Sequence, residues 1–368
     1  GEWVVGKLAR ELGVNATGGS SSVADAWVPL RTAAATARAS LLGAAALQWR
    51  LPIDELSVKE GVISHPSGKQ AHYGELAKFA QSTPPGDVKL KDRKAWTLIG
   101  KNAPRTDLAA KTNGSAVFGL DVRLPQMLYA AVRMAPMLGG APAAVDVNEV
   151  LRQPGVERVV MLPAQGGSTA GFAVVAKSYW HAAQAARAAA VTWRQRPAGA
   201  LNSQAIEAEL QQTARAGGGF AFYEHGDVAQ ALTQAARTVE ALYAAPYLAH
   251  ATLEPMNCTA QMAGDKVTVW APTQVPGFAR DMAARVAGVD VDSVTVHVTL
   301  LGGGFGRRLE VDYVAQAVRI AKECGGRPVQ MIWPREEDTT HDFYRPAQAA
   351  FLRASLNAAN EVTGLSIH

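Results

Sequence analysis

Cysteine, long apolar runs and clustered positive charge are all scarce in this sequence, and each shortage excludes a class of function. The 368 residues include two cysteines, Cys258 and Cys324, whereas an iron–sulfur cluster usually takes four cysteine ligands. Two cysteines do not make a disulfide framework either, so we expect two buried thiols. No apolar run is long enough to cross a membrane as a helix, because Arg38 and Gly43 interrupt the Ala-rich residues 32–47.

The charge and the length of the chain further limit the classes of protein to which it can belong. The formal net charge is +4 and the isoelectric point is about 9.0, but no run of Lys and Arg exceeds two residues, which disfavours nucleic-acid binding. The first ten residues carry charge without a long apolar core and do not predict a signal peptide. This says nothing against export, because the start is expected to be internal to a longer protein. A chain of 368 residues is expected to form two or three domains.

The first third of the chain predicts a long helix, a hairpin and a linker. The Ala-rich helix is predicted from about residue 23 to residue 49, and Ser22 and Asp25 have the spacing of a capping box at its start. Apolar alternation and turn residues predict a hairpin at 56–68, and a short helix follows at 73–81. Residues 82–105 are rich in Pro, Gly and charge and predict a linker.

The rest of the chain predicts a mixture of helices and strands. Residues 106–195 alternate the two and predict a compact domain, with two strands around Leu124–Pro125. After a polar, glycine-rich stretch at 215–227, a strictly alternating strand at 293–301 leads to a helix that stops at Gly325. Three tryptophans are predicted as core rather than as a substrate cage: Trp180, Trp193 and Trp270.

The segment between that strand and that helix, "LLGGGFGRRLEVD", has the composition of a turn that something approaches closely. Four of the five positions from 302 to 306 are glycine, and a strand–turn–helix arrangement aims backbone N–H groups at a ligand. The dinucleotide pattern fails because residues 307 and 309 are Arg and Leu, and no G-K-[ST] completes a P-loop. A ligand-contacting turn is favoured over a tight turn with surface arginines.

These residues, with others in the same order, resemble a known family. "GGGFGRR" is similar to the glycine-phenylalanine-glycine motif in the large subunit of the molybdenum hydroxylases, the xanthine dehydrogenase family. "HATLEPMNCTA", "VWAPTQVP" and "WPREEDTTHDFYRP" resemble its first molybdenum-binding domain, and "RTDLAAKTNGSAVFGLDVRLPQMLYAAVRMAP" resembles the start of its hammerhead domain. "TGGSSSVADAWVPLRTAAATARASLL" looks like the branch typified by the beta chain of isoquinoline 1-oxidoreductase. The resemblance covers nearly the whole chain.

The resemblance implies a fold class, a domain order and an activity. The fold is expected to be α+β or mixed α/β, with an α/β hammerhead domain and parts of the molybdenum-cofactor domains. The expected boundaries are 1–85 for a segment of the second molybdopterin-binding domain, 86–105 for the linker, 106–195 for the hammerhead and 196–368 for the first molybdopterin-binding domain. The implied activity is hydroxylation of N-heterocycles such as isoquinoline, or oxidation of aldehydes, with water as oxygen source.

The resemblance also implies site residues. The expected cofactor-binding residues are Gly302, Gly303, Gly304, Phe305, Gly306, Arg307, Gly18, Gly19, Ser20, Ser21, Ser22 and Gln274. Small hydroxyl-bearing residues at a helix start suit a phosphate, although a capped helix with a polar entry loop remains the alternative at 18–22. For Gln274, a purely structural polar role is equally favoured. The expected pocket residues are Leu309, His250 and Glu254.

Several alternatives concern those pocket residues. Leu309 stands where purine-oxidising members place a glutamate, which favours an apolar ring or an aldehyde as substrate. The four-residue spacing of His250 and Glu254 could suggest a zinc site, but Pro255 disfavours a continuing helix and no third ligand is near, so pocket or structural roles are favoured. Arg335–Asp338 could be a solvated charged loop. Arg308→Ala is expected to be milder than Gly306→Val.

The resemblance finally implies what lies outside the chain. The glutamate that the family uses as general base is expected in a C-terminal part that this sequence lacks, so no catalytic residue is assigned and no turnover is expected from the chain alone. The implied cofactor is molybdopterin with molybdenum, with the cytosine dinucleotide as one form it can take, and the implied partners are a small 2Fe-2S subunit and a cytochrome c or other electron acceptor. A periplasmic or membrane-associated location is implied. An excised folding unit, or a small-molecule-binding α/β protein, is the alternative.

Overall fold

The computed structural model describes residues 15–86 and 88–368. The first ten residues, which do not predict a signal peptide, lie outside this part. The chain forms two units, Thr17–Ala116 and Val117–His368. Both contain helices and strands, which confirms the predicted mixed fold class.

The smaller unit is built on one long helix. Its elements are α1 (Ser22–Trp49), β1 (Ser57–Lys59), β2 (Val62–Ser64), β3 (Gln70–His72), α2 (Tyr73–Ala80) and α3 (Leu108–Asn113). The three strands pair antiparallel in the order β1-β2-β3, and Ala45, Ile63 and Leu76 form their common core with α1 and α2. The predicted helix and hairpin are confirmed. The predicted capping box is wrong, because Ser22 is the first helical residue and Ser21 before it makes no side-chain capping bond.

The predicted linker, residues 82–105, lies within this unit and packs along α1. The Trp96 ring packs edge-on against the Trp27 ring, with 5.6 Å between the ring centroids. The Arg31 guanidinium lies over both rings, 4.7 and 5.5 Å from their centroids, and donates to the Lys91 carbonyl at 3.1 Å. Stacking of arginine on tryptophan gives the proline-rich segment a defined path. The domain boundaries drawn from the sequence remain a prediction.

The larger unit contains seven helices and twelve strands among its described residues. The helices are α4 (Val147–Leu151), α5 (Tyr179–Ala188), α6 (Ser203–Ala216), α7 (Val228–Thr233), α8 (Pro276–Ala287), α9 (Asp312–Ala321) and α10 (Arg335–Thr340). The strands are β4 (Leu128–Met134), β5 (Ala141–Val145), β6 (Val156–Leu162), β7 (Gly171–Ala176), β8 (Val191–Arg194), β9 (Arg237–Ala245), β10 (Asn257–Ala263), β11 (Lys266–Ala271), β12 (Val294–Val298), β13 (Val329–Ile332), β14 (Gln348–Leu356) and β15 (Val362–Ile367).

One mixed sheet forms the frame of this unit. Its seven strands run in the order β12-β11-β10-β13-β4-β7-β6, so it draws strands from both sides of residue 195. Two smaller sheets have the orders β15-β14-β9 and β5-β8. β11–β12 and β13–β4 pair parallel, and the other neighbours in the large sheet pair antiparallel.

Helices cover both faces of this sheet. Alternate residues of β4 point to opposite faces, so Ala130 and Val132 join the core under α8 and α9, whereas Ala131 joins the core under α5. Every residue of β7 is buried, as its unbroken apolar sequence requires of a strand covered on two sides. In α9, nine of ten residues are buried. The sheet edge next to α8 and α9 is therefore a rigid platform for the segments that leave it.

Two predictions for this unit are wrong. The region around Leu124–Pro125 contains one strand, β4, because the residues before it form a short 3₁₀ turn at Gly119–Asp121. Trp180 is 68 % exposed on α5 rather than in the core. Trp193 and Trp270 are partly buried and stack on Phe172 and His297.

Candidate functional site

The glycine-rich turn follows β12 at the edge of the large sheet. After β12, Leu300 makes a bridge with Phe118, and the turn occupies residues 302–306. The chain then forms a 3₁₀ turn at Arg307–Leu309, and α9 begins at Asp312. The predicted order of strand, turn and helix is confirmed, but the intervening 3₁₀ turn separates the glycines from the helix start. The amides of the turn are therefore not the first-turn amides of α9.

Each glycine is required by space or by backbone conformation. A Cβ atom on Gly302 would lie 2.3 Å from Glu254 Cβ, and one on Gly304 would lie 2.6 Å from Gln274 Oε1. Gly303 and Gly306 have φ of +107° and +105°, which side-chain-bearing residues rarely adopt. A side chain at 302, 303 or 306 would therefore strain the turn, whereas one at 304 would require the Gln274 side chain to move.

Phe305 has an unusual conformation for an aromatic residue. Its φ is +55° and its side chain is 77 % exposed. A bulky residue held in the left-handed region costs about 1–3 kcal/mol and persists where the surroundings over-determine it. Such strain, together with an exposed ring, is typical of a ligand-contacting position rather than of an ordinary surface turn.

The turn carries backbone donors that no described residue engages. The Gly302 amide donates to Glu254 Oε2 at 2.8 Å. The amides of Gly303, Gly304, Phe305 and Gly306 have no acceptor within the described ranges 15–86 and 88–368. Because consecutive backbone N–H groups form a concave anion-binding surface, the turn can hold oxygen atoms of a ligand.

Arg308 is a buried structural residue. Its guanidinium donates to the carbonyls of Gly303 at 2.8 Å, Glu254 at 2.7 Å and Pro272 at 3.3 Å, and lies 3.2 Å from Glu254 Oε2. Burial lowers its pKa, although Tyr313, Glu254 and Asp338 oppose that shift. The alternative of a tight turn with surface arginines does not fit the structure, because Arg307 and Arg308 are each no more than 1 % exposed.

Arg307 is clamped on the other side of the turn. It makes a two-pronged pair with Asp312, at 2.9 and 2.8 Å, and its Nε lies 3.0 Å from Asp342 Oδ1. Its guanidinium also lies between the Trp333 and Phe343 rings, 5.4 and 5.2 Å from their centroids. Burial opposes its charge, but the two carboxylates outweigh burial and raise its pKa. Its charged group therefore faces the interior of the protein.

Glu254 locks the turn to two other segments. Oε1 accepts from the Leu120 amide at 3.0 Å and from Asn257 Nδ2 at 3.1 Å, while Oε2 accepts from Gly302 and Arg308. The backbone amide of Glu254 donates to the Gly302 carbonyl at 3.0 Å. All four acceptor directions of the carboxylate are used. The predicted preference for a structural role over a zinc ligand fits this geometry.

His250 lies beside Gly306 of the turn. Its Nδ1 is 2.9 Å from Asp342 Oδ1, and its backbone amide also donates to that carboxylate. The ring is 20 % exposed, and a Cβ on Gly306 would lie 3.5 Å from its Nε2. Ala251, next in the chain, has φ +47°. His250 and the glycine turn are therefore adjacent, as members of one site must be.

The other sequence-predicted residues take less direct positions. Gln274 lies against Gly304, and its backbone amide donates to the Arg308 carbonyl at 3.0 Å. Leu309 is partly buried against the main core. Among the described residues, no group of three or more His, Cys, Asp or Glu could hold a metal ion.

The charged segment Arg335–Asp338 is not a solvated loop. It begins α10, and Arg335 donates to the carbonyls of Thr252 and Leu253, at 2.7 Å each. Asp338 is buried and accepts from Arg335 at 2.6 Å, and burial raises its pKa. The segment thus fixes the loop that carries His250.

Residues 18–22 lie in the smaller unit. Gly19 and Ser20 have φ of +59° and +57°, and the Ser21 hydroxyl donates to the Gly18 carbonyl at 2.9 Å. No side chain caps the start of α1 at Ser21. The capped-helix alternative therefore loses its side-chain support, and the first-turn amides of α1 are available to an anion.

Sequence reasoning missed Asp342, Asp312 and the loop between β6 and β7. Gly167 of this loop packs so closely on Phe343 that a Cβ would lie 2.5 Å from Phe343 Cζ, and Gly166 lies over Asp312. A glycine pair after an apolar strand was the available signal.

Both cysteines are free and buried, as predicted. No helix among the described residues is long and apolar enough to cross a membrane.

The fold and the turn define a cofactor-binding module. Residues 212–368, which include the whole turn, match the molybdopterin cofactor-binding domain family. The donor set fits such a group, because its oxygen atoms suit the backbone N–H groups of a glycine turn that Cβ atoms would obstruct.

Three relatives are similar to this chain over nearly its whole length. The chain is 31 % identical over 394 residues to the beta chain of isoquinoline 1-oxidoreductase from Brevundimonas diminuta, covering 94 % of this chain and 49 % of that protein. It is 31 % identical over 368 residues to the membrane-bound aldehyde dehydrogenase [pyrroloquinoline-quinone] of Gluconacetobacter polyoxogenes, covering 96 % and 47 %. A nicotinate dehydrogenase subunit of Pseudomonas putida is 29 % identical, with 98 % and 30 % covered.

Solved structures share the fold at lower identity. Quinoline 2-oxidoreductase from Pseudomonas putida 86 superposes with a TM-score of 0.56 at 21 % identity, covering 72 % of this chain and 38 % of that one. CO dehydrogenase from Oligotropha carboxidovorans gives 0.55 at 18 % identity, covering 73 % and 39 %. The chain belongs to the molybdopterin-binding subunits of the xanthine dehydrogenase family. It spans about half the length of the first two relatives.

Proposed function

We propose that the full-length protein is a molybdenum-dependent oxidoreductase that hydroxylates N-heterocycles or oxidises aldehydes, with water as the oxygen source. The observation that carries the proposal is the turn at 302–306, in which four amides lack an acceptor among the described residues and the glycines give a ligand access to them. The relatives' names supply the two substrate classes, since they act on isoquinoline, nicotinate or aldehyde.

The cofactor assigned to the site is molybdopterin with molybdenum, in the cytosine dinucleotide form. When bound, it supplies the centre that accepts two electrons from the substrate carbon. The amides of Gly303 to Gly306 would hold oxygen atoms at the metal end. Residues 18–22, in the smaller unit, are a separate candidate phosphate site, because the start of α1 presents uncapped amides beside small hydroxyl side chains.

The chain's own residues position and shape the site. Arg308 and Glu254 fix the turn from inside, so the amides are pre-organised before a ligand arrives. The exposed Phe305 ring offers an apolar surface to an aromatic substrate. Leu309 adds no charge at a position where a purine would require a polar partner, which supports a less polar ring or an aldehyde.

The proposal assigns catalysis and electron transfer to more than this chain. No residue among those described is assigned as the general base, and two buried thiols do not provide cluster ligands. We assign the electron path to a small 2Fe-2S subunit and then to a cytochrome c or another acceptor. The periplasm or the membrane surface is the proposed location.

Elemental analysis of the purified full-length protein tests the proposal. We expect about one molybdenum per subunit, a pterin released on denaturation, and turnover of isoquinoline or an aldehyde with an artificial acceptor. Pyrroloquinoline quinone is measured in parallel, because one relative's name carries it. A protein with quinone and no molybdenum, or with neither, would refute the proposal; the second result would favour a folding unit or a small-molecule-binding protein.

A further inference from the structure

The loop that precedes β10 forms a second wall of the site, and it is held as firmly as the glycine turn. Asp342 binds the His250 amide, Arg335 binds the carbonyls of Thr252 and Leu253, and Glu254 is tied to the turn. Ala251 keeps a left-handed φ of +47° within this segment. A strained backbone held at both ends is what a positioned side chain requires.

The orientation of the His250 ring follows from its partner. Asp342 is 2 % exposed, and a carboxylate accepts from the ring, so Nδ1 carries the proton. Asp342 Oδ1 also lies 3.0 Å from the guanidinium Nε of Arg307. In the tautomer that carries its proton on Nδ1, the ring presents the lone pair of Nε2.

Nε2 faces the space that glycine leaves at position 306. It makes no hydrogen bond to any residue in the described part of the chain. It lies 3.5 Å from where a Cβ of residue 306 would be. In that tautomer Nε2 is an acceptor beside the amide donors of the turn, so His250 can accept a hydrogen bond from a ligand held there.

We propose that His250 Nε2 accepts a hydrogen bond from an O–H or N–H group bound over Gly306, and that Asp342 is its positioning residue. The proposal rests on the proposed function and adds a rule of recognition: the ligand combines oxygens that face the turn amides with one donor that faces His250. That donor comes either from the molybdenum cofactor or from the substrate.

The experiment uses the full-length protein with its partner subunit and compares His250→Phe with His250→Gln. Glutamine can restore a hydrogen-bonding atom near Nε2, whereas phenylalanine keeps the ring and removes the acceptor. His225→Phe is the matched control, because it makes the same change on an exposed loop. Circular dichroism and the melting temperature establish folding before any other measurement.

The readouts separate the two sources of the donor. Loss of one hydrogen bond corresponds to about a threefold to tenfold change. If the cofactor supplies the donor, His250→Phe loses cofactor threefold to tenfold faster and alters the proton coupling in the electron paramagnetic resonance signal of the reduced metal. If the substrate supplies it, KM rises by that factor with metal content and signal unchanged. In both cases His250→Gln recovers most of the loss.

Asp342→Asn tests the positioning role. It should change the same quantity as His250→Phe, and the double variant should be no worse than His250→Phe alone, because the two residues act as one unit. The proposal is overturned if folded His250→Phe matches His225→Phe within about twofold in every readout, or if His250→Gln loses as much as His250→Phe. A wild-type protein without molybdenum would instead overturn the proposed function.

Discussion

Arg308→Ala is the substitution for which the structure reverses the expectation from the sequence most sharply. From the sequence, this change is expected to be milder than Gly306→Val, because it removes a charge but leaves the backbone of the turn open to a ligand. In the fold, the Arg308 side chain is 0 % exposed and binds three carbonyls and one carboxylate. Alanine would remove all four bonds and leave a space within the turn.

The magnitude follows from the partner that remains. Glu254 would keep its buried charge without its cation, and removing one member of a buried pair costs about 3–5 kcal/mol. The stability of a domain is about 5–15 kcal/mol, so a large share would be lost. Arg308→Lys should recover part of it, because an ammonium group is a compact charge that does not reproduce the planar fork of donors.

Urea unfolding of wild type, Arg308→Ala and Arg308→Lys measures these differences. Arg152→Ala is the control, because Arg152 and Glu149 form an exposed pair at 2.9 Å whose loss should cost about 1 kcal/mol or less. A loss below about 1 kcal/mol for Arg308→Ala, equal to that of the control, would contradict a buried guanidinium that holds the turn.

Four further results are expected. Gly306→Val should abolish molybdenum binding or activity in a folded full-length enzyme, because its φ of +105° and the nearby His250 oppose a branched side chain; full metal content at a normal rate would remove the site assignment. The chain alone should show no hydroxylase turnover, so molybdenum-dependent activity from it would contradict this. The full-length protein should co-purify with a small iron–sulfur subunit; an active, iron-free single subunit would refute that. Burial raises the pKa of the Cys324 thiol to about 11. The stability that the neutral thiol contributes is therefore fully present below the pKa of the unfolded chain and is lost as pH rises through about 11. Fast labelling of this thiol in the native protein near about pH 8 would contradict this.

The glycine turn could be located from the sequence because backbone requirements are local. Four glycines in five positions after an alternating strand indicate a backbone that side chains would obstruct. The positive φ values of Gly303 and Gly306 agree with this. The long helix α1 and the hairpin were predictable for the same reason. Apolar periodicity and glycine punctuation depend only on neighbouring residues.

The partners of charged residues were not predictable in this way. Arg307 and Arg308 sit in a polar stretch, and a charged side chain is exposed unless something buried pairs with it. Arg307 pairs with Asp312 five residues on, but the other two partners, Asp342 and Glu254, lie 35 and 54 residues from their arginines, beyond any local pattern. The prediction for Trp180 was wrong in the opposite direction. This large apolar side chain was expected in the core, and it lies exposed on a helix.

The two buried arginines show how the site combines open donors with a fixed shape. A turn made mainly of glycine has many accessible conformations and would lose much entropy on ordering. Arg308 offsets this on one side by binding the Gly303 carbonyl and Glu254, while Arg307 is fixed on the other by Asp312 and Asp342. Buried ion pairs contribute little net stability compared with apolar packing, but they hold defined geometry because any other arrangement leaves a charge unpaired. Glycine therefore gives a ligand access to the backbone, and the arginine pairs keep the amides and His250 in place before it binds.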